Sequence, residues 1–198
     1  VRVHRMAVPG ALRLVPEPVR DDRGTSLELF RNSALADAIG RPFVVGQSYW
    51  STSRRNTIRG IHGTVLPPGQ EKLVTCARGS VLDVVVDMRV GSPTFGSFDA
   101  VVLSADAPAA IYIPDGLGHG FLALTDDACM NYLCSTEFVP GTMIEIDALD
   151  PELALPWGLT DEPIRSAKDA AAPTLSAAAA AGLLPGYAEC LAFTPAAA

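Results

Sequence analysis

Short runs of β-branched and apolar residues, each closed by a turn sequence within a few positions, recur through the middle of this 198-residue chain. Val81 to Met88 is the clearest run, bounded by Arg78-Gly79 before it and Gly91-Ser92-Pro93 after it. Others stand at Ala100 to Leu103, Ala110 to Ile113, Gly120 to Leu124, Met130 to Cys134 and Met143 to Ile146. The segments between them, Ala105-Asp106-Ala107-Pro108, Pro114-Asp115-Gly116, Thr125-Asp126-Asp127 and Pro140-Gly141, carry turn chemistry: proline presets φ, glycine accepts positive φ, and Asp bonds back to its own backbone. So many short strands at this spacing predict a mainly β sandwich or barrel. Helical signals are confined to Ser33 to Ile39 and to the Ala-rich tail from Ser176 to Leu184, which Pro185-Gly186 ends. Residues 194–198 are expected to fray. No internal repeat or dividing linker interrupts the chain, so residues 1–198 read as one domain.

Composition narrows the partners. A 48% hydrophobic content supports a sizeable core, and a formal net charge of -7 lacks the basic footprint of a nucleic-acid surface. The N-terminal Val-Arg-Val-His-Arg stretch leads into no apolar segment of signal-peptide length, and no apolar run is long enough to span a membrane, so the reading is soluble and cytoplasmic. Cys76, Cys129, Cys134 and Cys190 form no Cys-x-x-Cys pair and read as reduced packing residues.

The chain holds only two lysines, Lys72 and Lys168, against thirteen arginines. A compact ammonium can sit as a point charge beside a developing oxyanion, which a planar guanidinium does less well. Lys72 follows His62 by ten residues, and Lys168 directly precedes Asp169. His62 and His119 both fall in Gly/Pro-punctuated segments between strand-like runs. The segment Pro114-Asp115-Gly116-Leu117-Gly118-His119-Gly120-Phe121 suits an imidazole aimed into a barrel mouth and resembles the second motif of cupin jelly rolls. Many cupins hold a metal, which needs three or more convergent ligands. With His4, His62 and His119 as the histidines and no His-x-His pair, a site without metal or cofactor is preferred; an iron site using His62, His119 and Asp169 or Glu71 stands as the alternative.

Arg59-Gly60-Ile61-His62, Glu71-Lys72-Leu73-Val74, Arg78-Gly79, Asp83-Val84-Val85-Val86-Asp87-Met88-Arg89, Gly91-Ser92-Pro93-Thr94-Phe95-Gly96, Ile113-Pro114-Asp115-Gly116, His119-Gly120-Phe121, Tyr132 and Leu149-Asp150-Pro151 follow one another with characteristic gaps. In this the chain resembles the dTDP-4-dehydrorhamnose 3,5-epimerase family over roughly residues 20–170. Thr64-Val65 with Pro67-Pro68-Gly69, and the Gly182-Leu183-Leu184-Pro185 tail, are similar to the subgroup acting on antibiotic deoxysugars. The resemblance implies a cupin-type jelly roll with a few short helices, mostly in a C-terminal tail over residues 160–190. It implies epimerisation at C3, C5 or both of a dTDP-4-keto-6-deoxyhexose, by proton abstraction beside the C4 ketone and reprotonation on the opposite face.

The same resemblance assigns the roles. His62 is the base, with Asp169 as its carboxylate partner; Lys72 holds the enolate oxygen; Tyr132 is the acid. Arg59 and Arg23 match positions that contact the diphosphate, and Arg23 would come from a neighbouring subunit. Glu28 and Gln47 would line the pocket for base and sugar, and His119 and Lys168 would support sugar and phosphate from within the barrel. A homodimer with an exchanged N-terminal strand region, residues 1–45, is implied.

Taken singly, each residue has a plainer reading. His62 or His119 could be a satisfied structural histidine, Tyr132 a core tyrosine, Arg59 and Arg23 surface arginines, and Asp169 the cap of a helical turn at Ala170 to Ala172. Their joint spacing favours the site, while a metal-dependent cupin enzyme and a non-catalytic nucleotide-sugar-binding cupin are the competing classes. Three positions depart from the family: Gly63 replaces an aromatic residue, implying a wider floor beside the base; Phe138 replaces a tyrosine; Met143 replaces a glutamate that touches the ligand.

Overall fold

Along one strand the residues Ala128, Met130, Tyr132 and Cys134 are buried while Cys129, Asn131 and Leu133 are only half-buried, the period of two that a sheet with one face more deeply covered than the other imposes. The same logic organises the computed structural model, which describes residues 1–193; the predicted fraying of 194–198 lies outside them. In chain order the elements are β1 (Arg2–Arg5), β2 (Leu12–Val15), β3 (Val19–Asp21), β4 (Gly24–Ser26), α1 (Asn32–Ile39), β5 (Gln47–Ser53), β6 (Ile58–Thr64), β7 (Lys72–Arg78), β8 (Ser80–Asp87) and β9 (Phe98–Ser104). Then follow β10 (Ala110–Ile113), β11 (Leu117–Ala123), β12 (Ala128–Cys134), β13 (Met143–Glu145), α2 (Ala167–Ala170), α3 (Leu175–Ala180) and α4 (Tyr187–Ala192).

Two antiparallel sheets face each other, one in the order β1-β2-β10-β7-β12-β5 and one in the order β13-β6-β11-β8-β9. Between them Val74, Cys76, Ile111, Met130 and Tyr132 of the first sheet pack against Val81, Val85, Leu103 and Phe121 of the second. Burying a side chain such as Phe121 contributes about 1.5–3 kcal/mol. The outer face of the second sheet is covered by the C-terminal region, where Leu153, Trp157, Leu175 and Ala178 close over Ile58, Ile61, Val84 and Val86. The outer face of the first is covered by α1, whose Leu35 joins Leu12, Leu14, Phe43 and Tyr112. This is the jelly-roll sandwich expected of a cupin, with helices mostly at the C-terminus.

Several boundaries differ from the sequence reading. His62 and His119 lie inside strands β6 and β11 rather than between strands, and their Cα atoms are partners across the sheet. The glycines that looked like loop punctuation serve close approach: at Gly60 (φ +110) a Cβ would stand 2.5 Å from the His119 carbonyl oxygen. The Ala-rich helix is shorter than expected, starting after the Thr174 cap and ending before Gly182 at φ +67. Pro185-Gly186 does not merely end it, since Gly186 is the N-cap of α4. Asp169 is not a cap: it lies in α2, whose cap is Ser166. In the N-terminal region, β1 and β2 pair within this chain's own sheet, whereas β3 and β4 pair only with each other and every residue of both is exposed.

Two motifs that look chemical are scaffolding. Asp87, fully buried, accepts hydrogen bonds from Arg89 Nε and Nη2 at 2.8 Å and from the Ser92 and Thr94 hydroxyls at 2.6 Å, closing the Gly91-Ser92-Pro93-Thr94 turn. Burial pushes its pKa up, but these donors outweigh burial and hold it below the usual carboxylate range. Asp150 of Leu149-Asp150-Pro151 likewise accepts from the backbone of Glu152 and Leu175 and starts α3 against the sheet.

Candidate active site

At one mouth of the sandwich the strand register brings chemically useful side chains to face each other across the two sheets. β7 and β12 run side by side with Lys72 opposite Cys134 and Val74 opposite Tyr132, so Lys72 and Tyr132 lie on the inward face of the first sheet. β6 and β11 place His62 and His119 as partners on the second. Two adjoining cavities of about 340 Å³ each share Tyr49, His62, Lys72 and Met143 and together form the cleft. Its inner part is lined by Arg59, His119, Tyr132, Lys168 and Asp169, and its outer part by Gln47, Gln70, Phe138 and Val139.

His62 Nε2 lies 2.7 Å from Asp169 Oδ1, with the carboxylate almost wholly enclosed and the imidazole about one quarter open (7% and 27% exposed). Ser166 sets this up by accepting the Asp169 backbone N–H at 3.0 Å at the start of α2. Burial raises the Asp169 pKa, but the His62 hydrogen bond and charge, with the Ser166 hydroxyl and Gly60 N–H, override it and hold the carboxyl below its ordinary range. Asp169 is therefore a carboxylate at neutral pH, oriented on one ring nitrogen. In this orientation the other nitrogen, Nδ1, could take a proton from a bound molecule.

Opposite this pair, Tyr132 is buried against Tyr49, the rings stacked 4.5 Å apart with planes 5° from parallel. Burial pushes its phenol pKa well above the usual value, with Tyr49 and Asp83 adding to the effect, so the hydroxyl keeps its proton at any ordinary pH. His119 packs edge-on to the Tyr132 ring at 6.0 Å and is bonded through Nε2 to the fully buried Asp83 at 2.7 Å. Lys72 is buried at the cleft wall, where loss of water pushes its ammonium pKa downward. Arg59 extends along the rim, donating from Nε to Ser53 Oγ at 3.0 Å and from Nη2 to the Thr52 carbonyl at 3.1 Å.

Of the residues singled out in the sequence, His62, Lys72, Tyr132, Asp169, Arg59, His119, Lys168 and Gln47 converge here. Lys168 stands at the rim rather than within the barrel, 65% exposed and ion-paired with Glu145. Arg23 and Glu28 do not reach the cleft of their own chain. Arg23 is 90% exposed on the β3–β4 hairpin and paired with Asp21 at 2.6 Å, and Glu28 pairs with Arg31 at 2.9 Å. The side chains of the iron alternative are engaged with other partners. Asp169 and Asp83 each hold one histidine, Glu71 is bonded instead to Arg41 and Tyr112, and no metal-like group of three such side chains gathers among the described residues.

Gly63 does not widen the floor. Its backbone lines the cleft, but its Cβ direction points to the back of the sheet, where an added carbon would stand 2.3 Å from Met88 Cε. Phe138 and Met143 do form wall, Met143 at the junction of the two cavities. Sequence reading missed Tyr49, Asp83 and Ser166 as members of the site. The signal for Tyr49 is its place opposite Tyr132, visible only once β5 is known to pair with β12.

A jelly roll whose mouth joins a carboxylate-held imidazole, a buried ammonium and a protonated phenol defines an acid–base site with a charge to place on an oxyanion. The comparisons with known proteins are specific. The sequence model of the dTDP-4-dehydrorhamnose 3,5-epimerase family matches residues 5–177, and the chain belongs to that family. It is 44% identical over 194 residues to a dTDP-4-dehydrorhamnose 3-epimerase of Streptomyces niveus, covering 98% of this chain and 93% of the relative. Among solved structures, NovW, a 4-keto-6-deoxy sugar epimerase from the novobiocin biosynthetic gene cluster of Streptomyces spheroides, superposes with a TM-score of 0.93 at 43% identity, covering 96% of this chain and 94% of that one. ChmJ, a 3'-monoepimerase from Streptomyces bikiniensis in complex with dTDP-quinovose, gives 0.91 at 44% identity, covering 94% of each.

Proposed function

We propose that this chain is an isomerase of deoxysugar biosynthesis that inverts C3, C5 or both of a dTDP-4-keto-6-deoxyhexose. The observation that carries this reading is the pairing of His62 with Asp169 in the same cleft as Lys72 and Tyr132. In the reaction, His62 takes the proton from the carbon next to the C4 ketone and Asp169 stabilises the imidazolium. The C–H electron pair becomes the enolate π bond, and the negative charge moves to the ketone oxygen, where Lys72 meets it. The Tyr132 hydroxyl then donates its proton to the opposite face of the carbon as the ketone re-forms. The phenolate recovers a proton and His62 releases one, so the net change is inversion alone.

Arg59 takes the diphosphate in this reading, as a guanidinium fork suits its oxygens. Gln47 sits at the outer cavity for the nucleoside, and His119, fixed by Asp83, supports the sugar. Lys168 at the rim supplies charge to the phosphates. Arg23 and Glu28 complete the nucleotide site from a second copy of the chain, an arrangement favoured by the exposed β3–β4 hairpin and the exposed edge strand β5. No helix among the described residues is long and apolar enough to cross a membrane.

Proton NMR of dTDP-4-keto-6-deoxyglucose with the protein in deuterated water tests the reaction. Loss of the C3 signal, the C5 signal or both supports it and reports which carbon His62 reaches. Binding without exchange at either carbon overturns it. Sedimentation velocity tests the dimer, and a monomer at micromolar concentration refutes the shared site.

A further inference from the structure

The ammonium of Lys72 is buried at a place where few groups can hold its charge. From β12 it meets the Cys134 thiol directly across the ladder and Tyr132 two pairs further on; from β6 and β5 it shares the cleft with His62 and Tyr49. Glu71 precedes it in sequence, yet its carboxylate is already engaged by Arg41 and Tyr112, in a second cavity that Asp115 also lines. The remaining neighbour is β10, which runs antiparallel to β7 with Ile113 opposite Lys72. Two residues beyond Ile113 the chain reaches Asp115, and two residues before Lys72 it reaches Gln70. There Asp115 Oδ1 accepts the Gln70 backbone N–H at 2.6 Å.

The contact also bears on the cleft wall. Pro68, Gly69 and Gln70 line the outer cavity, and Gly69 lies so close to Asp115 that an added Cβ would stand 2.6 Å from its Oδ1. Gln70 Nε2 donates to the Thr136 carbonyl at 2.9 Å, and Thr136 Oγ1 donates to the Gly69 carbonyl at 2.8 Å. The turn is thus clamped between the segment after β12 on one side and Asp115 on the other.

We infer that Asp115 is a positioning residue of this site: its carboxylate fixes the Gly69-Gln70 wall through the Gln70 N–H and supplies the counter-charge to the buried Lys72 ammonium. Burial lowers the Lys72 pKa, and the groups that pull it back are Cys134 and Asp115. The Cys134 thiol is itself pushed up to about 11 by burial and is neutral at physiological pH, which leaves Asp115. Burial and then the nearby Glu71 raise the Asp115 pKa to about 6, against the Gln70 N–H, Arg41 and Lys72, which lower it. Asp115 is therefore ionised at the higher pH where Lys72 is at risk of losing its proton.

The catalytic meaning of this inference rests on the proposed role of Lys72, but its test need not. Because the chain has two lysines, protein labelled with [13C]lysine gives two Cε signals, assigned by Lys168→Arg, whose titration midpoints are read by NMR. Asp115→Asn keeps an oxygen for the Gln70 N–H and removes the charge. It is expected to lower the Lys72 midpoint by roughly half a unit to one unit and leave that of Lys168 in place. The alkaline limb of kcat/KM should move by the same amount, and Asp115→Glu should restore both. Asp115→Ser gives the same comparison should the amide variant not fold. A Lys72 midpoint that superimposes on the wild-type value overturns the counter-charge. Asp115→Ala, which also removes the acceptor, should raise KM several-fold beyond Asp115→Asn, and equal KM values overturn the wall. Failure of the enzymatic reading would show instead as a shifted Lys72 midpoint in a protein that exchanges no substrate proton.

Discussion

Replacing Asp169 by Asn changes almost nothing in shape and removes the charge that His62 faces at 2.7 Å. A hydrogen bond to a charged partner is worth about 1.5–3 kcal/mol, and each ~1.4 kcal/mol is tenfold in rate, so the loss of the imidazolium's partner should lower kcat by roughly 10- to 150-fold. With His62 about one quarter open to the cleft, water replaces part of the interaction, which places the expectation in the lower half of that range. KM should change little, because Asp169 touches the base and not the nucleotide. The assay is the rate of deuterium uptake at C3 and C5 under saturating substrate, with circular dichroism melting to confirm folding. The folded pKa of Asp169 is depressed, so its contribution to stability is present above the unfolded value near 4 and is lost as pH falls through the folded value. The melting difference between wild type and Asp169→Asn should accordingly be largest at neutral pH and shrink in acid. A kcat within about threefold of wild type, or a loss that falls on KM alone, refutes the orientation argument.

Tyr132→Phe keeps the base and the oxyanion charge, so proton abstraction should continue while inverted product falls by ~100-fold or more; retention of inversion, read from ring coupling constants, would remove Tyr132 as the acid. Arg59→Ala should weaken dTDP binding by about tenfold or more with kcat nearly unchanged, as read by calorimetry and saturation kinetics, whereas equal effects on binding and turnover would end the separation of anchoring from chemistry. Asp87→Ala strands the buried Arg89 guanidinium and should cost about 3–5 kcal/mol in denaturant melts. The Asp87 pKa is also depressed, so this stabilisation is present above the unfolded value near 4 and disappears as pH falls through the folded value; a difference between wild type and variant that persists unchanged in acid would contradict it.

What a linear chain discloses depends on which physical signal an element carries. β8 and β12 were legible because each is a largely apolar run whose ends carry turn residues. β6 was not, because Gly60 and Gly63 occupy positions where a Cβ would strike the His119 carbonyl or Met88 Cε, and in sequence such glycines look like loop. β5 hid for another reason: as an edge strand it is largely exposed, so its Ser-Tyr-Trp-Ser-Thr run shows no apolar alternation. The residues proposed for the acid–base work are singled out by the ordered motifs that carry the family resemblance, not by periodicity. Asp83 and Tyr49 escaped because each is defined by a partner on another strand: His119 lies thirty-six residues after Asp83, and Tyr132 lies on β12. The wider floor expected at Gly63 failed on the simplest rule of strand geometry, since residues 62 and 63 point to opposite faces and His62 already takes the cleft.

The placement of the two halves of the site follows from how steeply each task depends on distance. Proton transfer needs its groups held to within about 0.5 Å, and His62, Lys72, His119 and Tyr132 stand on paired strands whose ladders fix them, each backed by a carboxylate, a stacked ring or a buried wall. Attraction between a guanidinium and a diphosphate falls only as the inverse of distance, so its carriers tolerate play. The carriers proposed for it fit this: Arg59 and Lys168 sit at the rim, and Arg23 rides on a hairpin that pairs only with itself. Changes in that hairpin should therefore alter how tightly the nucleotide is held and leave the choice between C3 and C5 untouched. On the proposed reading that choice is made where the sugar meets the His62–Asp169 pair and the Met143 wall. An Arg23→Ala variant that binds dTDP less tightly yet exchanges C3 and C5 hydrogens in the wild-type ratio is the outcome this division requires, and a changed ratio would mean that the anchor, not the wall, sets the sugar's pose.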